Sequence, residues 1–296
     1  MEFIPTEILE SIIYLLNYSD LNSLIQTYSN SQISSINWPM IHLYRFGTYK
    51  SNLNYPDYYR IISAEDVKLK LELNQSIDEL IQLQELELDE KQLILIPDSI
   101  GNLTQLKELD LSNNQLTSIP DSIGNLTQLQ ELNLSHNKLT LIPDEVGNLT
   151  QLQRLYLSEN KLTLIPGEIG NLSQLQILYL WSNKLTSIPG EVGNLTQLKE
   201  LDLSNNELSS IPAEVGNLTQ LKELNLSNNQ LSSIPVEVGN LIQLQVLSLS
   251  GNQLTSIPDS VGNLTQLKEL DLSYNKLLSI PKIILNLELS GTRIIK

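Results

Sequence analysis

The phrase LxxLxLxxNxLxxIPxxxGNLxQ recurs every 23 residues from Leu106, its first leucine returning at 129, 152, 175, 198, 221, 244 and 267. A period of this length restricts the chain to architectures in which each copy packs only on its neighbours. A less regular copy starts at Leu83 with Lys91 where the others have Asn, and a shortened one, IILNLELSGTRI, closes the chain with Thr292 at that place. One copy has too few apolar positions to offset the ordering of its own backbone. The copies must therefore share a core, and both ends need capping. Residues 67–82, VKLKLELNQSIDELIQ, suit a front cap, and 282–296 a thinner rear one.

Within each copy the pattern is that of a short strand. In LKELDL the leucines at 106, 109 and 111 alternate with polar residues near their end, as one buried sheet face requires. Stacked copies then give a parallel sheet. Asn114, Asn137, Asn160, Asn183, Asn206, Asn229, Asn252 and Asn275 follow the strands, where the chain turns inward and an amide can both donate and accept for stranded backbone groups. Pro120 and its equivalents suit the return segment, and Gly124 and its equivalents a tight turn opposite the sheet. On these residues the chain resembles the 23-residue cytoplasmic type of leucine-rich repeat, with its IPxxIGNLxxL tail, over roughly residues 76–296. The resemblance implies an α/β solenoid with the parallel sheet on its concave face and a buried asparagine ladder.

Side chains alternate along a strand, so positions three, five and seven of each copy share the exposed face. Position five reads Glu87, Asp110, Asn133, Tyr156, Tyr179, Asp202, Asn225, Ser248, Asp271 and Glu288. Two tyrosines interrupt a polar column. In the same two copies position three changes from Glu to Arg154 and Ile177, and position seven from Ser to Trp181. Strands about 4.8 Å apart bring these five residues into one patch, with His136 and Glu159 at its edge. Trp, Tyr and Arg dominate protein-binding hot spots, which marks the patch as a partner site. Drift in a redundant array is the competing reading. Val246 and Tyr274 would extend contact toward the rear, while Glu85, Glu87, Asp89, Glu90, Glu108 and Asp110 concentrate acid at the front.

The charge balance narrows the partners. Eighteen basic against 34 acidic residues give a formal charge of -16, which disfavours nucleic-acid and anionic-membrane binding. The absence of cysteine excludes disulfides and thiolate zinc sites. Two histidines in unlike contexts and carboxylates that recur only because the repeat does supply no metal, cofactor or catalytic constellation, so an enzyme is not expected. MEFIPTEILESIIYLL carries acids where a secretory signal has cations, and the expectation is a cytoplasmic protein.

Residues 1–62 lack the repeat. Ile8, Ile12, Leu15 and Leu16 have helical spacing, and a second run of Leu21, Leu24 and Ile25 follows NYSD. The segment also resembles an F-box, with Ile4, Pro5, Glu7, Ile8, Ile12, Leu16, Asp20, Leu21 and Leu24 fitting its pattern and Trp38 near its late tryptophan. Thr27 stands where Val is expected, and the usual basic-Trp pair is missing around Asn30 and Ser31. The resemblance implies that Pro5, Ile8, Leu9, Ile12 and Leu24 meet the Skp-type adaptor of a cullin-type ubiquitin ligase. The expected organisation is then an F-box-like helical module at 1–62, a cap at 63–82, and about ten repeats at 83–296. Such a chain is a substrate receptor holding its protein target on the repeats. The alternative is a scaffold or Ras-suppressor-like signalling module whose front helices are purely structural.

Overall fold

The computed structural model describes Leu71 and residues 77–296. Leu71 and helix α1 (Ile77–Ile81) belong to one compact unit, in which Leu71 and Leu80 are buried. The helices expected within residues 1–62, the adaptor-facing set among them, and most of the expected front cap lie outside the described residues.

Gln82–Lys296 forms the second unit. Ten strands build one parallel sheet in chain order: β1 (Glu85–Glu87), β2 (Glu108–Asp110), β3 (Glu131–Asn133), β4 (Arg154–Tyr156), β5 (Ile177–Tyr179), β6 (Glu200–Asp202), β7 (Glu223–Asn225), β8 (Val246–Ser248), β9 (Glu269–Asp271) and β10 (Arg293–Ile295). In β1 to β9 each three-residue strand turns only its central leucine to the core; β10 has Ile294 at that place, half-buried. Leu109, Leu132 and Leu155 pair rung to rung and are buried, while their neighbours project from the open face. From β1 to β9 the sheet register repeats the 23-residue period without a slip, since a shift by one residue would turn every leucine out; only β10 pairs with β9 at an offset of 24.

Opposite the sheet each of the first eight rungs makes a five-residue 3-10 helix, such as Asp121–Asn125, entered from Pro120 with φ -73°. Its i to i+3 bonds, Ile123 N–H to Pro120 and Leu126 N–H to Ile123, place Ile123 under the strand leucines. Gly124 stands in the tight turn expected of it, and with no positive φ there it is contact that requires a glycine. A Cβ on Gly124 would sit 2.5 Å from the backbone oxygen of Glu145 in the next rung.

The asparagines form the ladder that the resemblance implies. Asn160 donates to the carbonyls of Leu134, Leu157 and Ser158 at 2.9, 3.1 and 3.3 Å, and its Oδ1 accepts the Leu139 N–H at 3.0 Å. One amide thereby ties its own rung to the one before it. The residue before it, position eight, is left-handed throughout: φ is 55° at Asn113, 54° at His136, 52° at Glu159 and 58° at Ser182.

Two expectations for the last copy are overturned. Glu288 lies in helix α2 (Lys282–Leu289) and not in the position-five column; strand β10 comes from Arg293–Ile295, so Ile295 pairs with Asp271. Thr292 precedes that strand and donates to the Leu267 carbonyl at 2.7 Å instead of standing in for the asparagine. The cause is Pro281, after which Ile284 and Leu287, three apart, bury one face of a helical turn against the preceding rung.

Candidate recognition surface on the open face

Strands β3 to β6 bring the expected patch together. The Tyr156 and Tyr179 rings lie 5.5 Å apart at 60°, and the His136 and Trp181 rings meet edge to face at 6.1 Å. Such offset and edge contacts are the arrangements that aromatic quadrupoles favour. His136 Nδ1 stands 3.1 Å from Glu159 Oε2, bridging position eight of two rungs. Arg154, Tyr156, Ile177, Tyr179 and Trp181 are half-buried, whereas His136 and Glu159 are exposed. All seven expected residues therefore share one surface. Tyr274 does not join them, standing 87% exposed four rungs beyond Trp181, and Val246 is three rungs from Ile177.

Two residues that the sequence reading passed over complete the surface. Arg154 donates from Nε to Glu131 and ion-pairs with it through the guanidinium, with Glu108 farther off at 3.8 Å. That hydrogen bond, reinforced by the nearby carboxylates, raises the Arg154 pKa against the opposing effect of burial. On the other side the Tyr179 hydroxyl donates to Glu200. Burial first, and then that bond to a carboxylate, push the Tyr179 phenol well above its ordinary range; burial also raises Tyr156. Both glutamates occupy position three of the neighbouring rung, so register with the departing residues was the signal available for them.

Asn, Asp and Gly tolerate a left-handed φ best, and the other rungs mostly place Asn or Gly at position eight. His136, Glu159 and Ser182 replace them in three consecutive rungs bordering the aromatic residues. The local cost of about 1 kcal/mol apiece is accepted where the side chains rim the patch. Under it, Ser158 is 2% exposed and its Oγ has no hydrogen-bond partner.

Beside Arg154 a depression of about 220 Å³ opens over β1–β3, lined by Glu85, Glu87, Glu108, Asp110, Glu131 and Asn133 with their strand leucines. Asp110 accepts from the Ser112 N–H at 2.8 Å and the Asn133 amide at 3.1 Å. Among the described residues no group of three or more His, Cys, Asp or Glu has the placement to hold a metal ion. Nor is any described helix long and apolar enough to cross a membrane. The surface is built for contact: a ringed apolar centre, polar atoms at its margin and carboxylates to either side.

Known proteins share the repeat fold. The leucine-rich repeat region family matches residues 51–162, 144–233 and 209–289. The chain is similar to a leucine-rich repeat protein of Leptospira interrogans, with 39% identity and a TM-score of 0.63 over 73% of this chain and 62% of that one. It is also similar to the leucine-rich repeat ectodomain of the Arabidopsis thaliana receptor kinase GASSHO1/SCHENGEN3 in complex with Casparian strip integrity factor 2. There the identity is 34% and the TM-score 0.54, over 71% of this chain and 28% of the ectodomain. The plant peptide hormone receptor RGFR1 in complex with RGF2 is 33% identical with a TM-score of 0.57, over 74% of this chain and 40% of the receptor. The chain thus spans less than two thirds of each of these proteins. No curated protein sequence matches it.

Proposed function

This chain belongs to the leucine-rich repeat family, and from that premise we propose that it is a non-enzymatic recognition protein whose repeats hold a protein partner on the open face of the sheet. The observation that carries the reading is the joining of Tyr156, Tyr179 and Trp181 on adjacent rungs, the tyrosine rings 5.5 Å apart. Everywhere else the same positions are acids, amides or serines, apart from Val246 and the chain's last strand. Large rings with one polar edge gain contact area at low entropic cost, which is why they anchor partners. GASSHO1/SCHENGEN3 and RGFR1, similar in fold, are each in complex with a partner, which supports the same use here.

Affinity capture by the full chain tests the reading. Tyr179→Asp together with Trp181→Ser restores the internal consensus and should leave folding intact while abolishing capture of the partner that the native chain retains. Capture unchanged by the pair would leave the patch without a role.

For residues 1–62 the proposal rests on the F-box-like pattern alone: this segment docks the Skp-type adaptor of a cullin-type ubiquitin ligase, and the repeats present the substrate. Pro5, Ile8, Leu9, Ile12 and Leu24 are the adaptor-facing residues under this reading. Recovery of the adaptor by the native chain, lost with Ile8→Ala and Leu9→Ala, is the expected outcome. Its absence with folded native chain would return the segment to a structural role.

A further inference from the structure

Resting on the reading of the patch as a partner site, we propose that its occupant is an extended basic segment of a protein, crossing the strands with an apolar side chain on the aromatic rings and arginine or lysine over the carboxylates on β1–β3. The charge of the open face is one-sided. Between β1 and β9 the first residues of the strands include six glutamates and the last residues four aspartates or glutamates, ten carboxylates in all, against Arg154 alone. Arg154 is already held by Glu131. Among the described residues these strand positions therefore offer a partner no free cation, and an acidic segment laid across them would bring like charges together on β1–β3, β6, β7 and β9.

Arg154 also shows how a guanidinium sits on this surface, paired to Glu131 with Glu108 at 3.8 Å. The rest of the depression repeats those side chains without the cation: Glu85 and Glu87 both stand on β1, one rung beyond Glu108 and two beyond Glu131, and make no ion pair with any described residue. The aromatic centre accepts the same chemistry, since a cation over a tyrosine face is attracted by the ring quadrupole. The buried, unpaired Ser158 hydroxyl adds a hydrogen-bonding group under the patch that the chain itself does not use.

Geometry favours an extended segment. From β1 to β5 is four rung spacings, about 19 Å, which six residues of extended chain cover at about 3.3 Å each. A six-residue helical stretch would be only about 9 Å long and would not reach from the rings to Glu85.

The test is selection from a display library of random decapeptides on the full chain, run in parallel on Tyr179→Asp/Trp181→Ser and on Glu87→Gln/Glu108→Gln. The native chain should enrich peptides that combine arginine or lysine with an aromatic or large aliphatic residue. The patch variant should lose them all. The glutamine variant should bind the best peptide about fivefold more weakly and with a shallower salt dependence, as exposed ion pairs would. Patch-dependent peptides without a cationic bias, or binding indifferent to the glutamines, would overturn the inference and leave the partner site standing. No enrichment above the patch variant would overturn both.

Discussion

Tyr179 lies on β5 between β4, which shares the patch, and β6, which keeps the consensus; its hydroxyl is committed to Glu200 and its ring to Tyr156. A phenol so placed keeps its proton more tightly when folded than when unfolded. Its contribution is therefore complete below the ordinary tyrosine pKa near 10 and is lost as pH rises above it, because the unfolded chain then releases the proton first. Folding stability should fall more steeply above pH 10 in the native chain than in Tyr179→Phe, and the difference absorbance titration of the two should reveal a phenol ionising late. Equal slopes would show that the hydroxyl is in ordinary contact with water. At Asn160 the outcome is larger: an alanine leaves the Leu139 N–H unpaired in the core, while the three carbonyls keep their second donors, Asn137, Asn183 and the His136 N–H, and the cost is about 1–3 kcal/mol in urea unfolding. The ladder and the aromatic patch were both legible in the sequence, because a column of identical residues and a break in a column are visible without coordinates. Glu131 and Glu200 were not legible, since each conforms to its own copy and acquires its role only from the residue one rung away. The left-handed φ at position eight was hidden for a related reason: Asn113 and Asn205 read as polar surface, and only Gly251 in the same column hints at backbone geometry.

At the scale of elements, the 3-10 helices stack so closely that the fourth-position glycine of the first seven, Gly101 to Gly239, has no alternative. On Gly170 a methyl would stand 2.5 Å from the Glu191 oxygen and 2.9 Å from its Cβ, and that oxygen belongs to backbone, which cannot swing aside. Gly170→Ala should cost about 1–3 kcal/mol by prying two rungs apart, while Gly291→Ala, with open space but φ 103°, should be penalised through its backbone alone. A fall in melting temperature for Gly170→Ala, with increased amide exchange confined to the rungs on either side, is the expected signature. Helix α2 shows where the repeat pattern misleads. LELS at 287–290 imitates the LxLS of a strand, and the sequence reading accordingly placed Glu288 in the exposed column. A strand, however, needs a neighbour in register, and only Arg293–Ile295 has one in β9. Ile284→Ala with Leu287→Ala should uncover the last rung and bring exchange at β8–β10 forward before the rest of the sheet, because a stack loosens from an unprotected end.

In the molecule as a whole, the patch sits on the middle rungs, away from both ends of the ten-strand sheet. Stability in such an array is a sum of nearest-neighbour terms, and every rung contributes through its leucines and asparagine whatever its open face carries. Recognition and folding are thereby assigned to alternate residues of the same three-residue strand. In β5, Leu178 is fully buried between Ile177 and Tyr179, which are not. Leu178→Ala should remove about 2–5 kcal/mol by leaving a cavity shared with two rungs. Tyr179→Asp with Trp181→Ser, by contrast, should change stability by no more than about 1 kcal/mol, since both restore residues that neighbouring rungs accept and only one side-chain hydrogen bond is given up. Urea unfolding of the three chains measures the separation. A large loss from the Tyr179 and Trp181 pair would mean that the rings brace the stack itself, and that the partner site and the fold are a single structure.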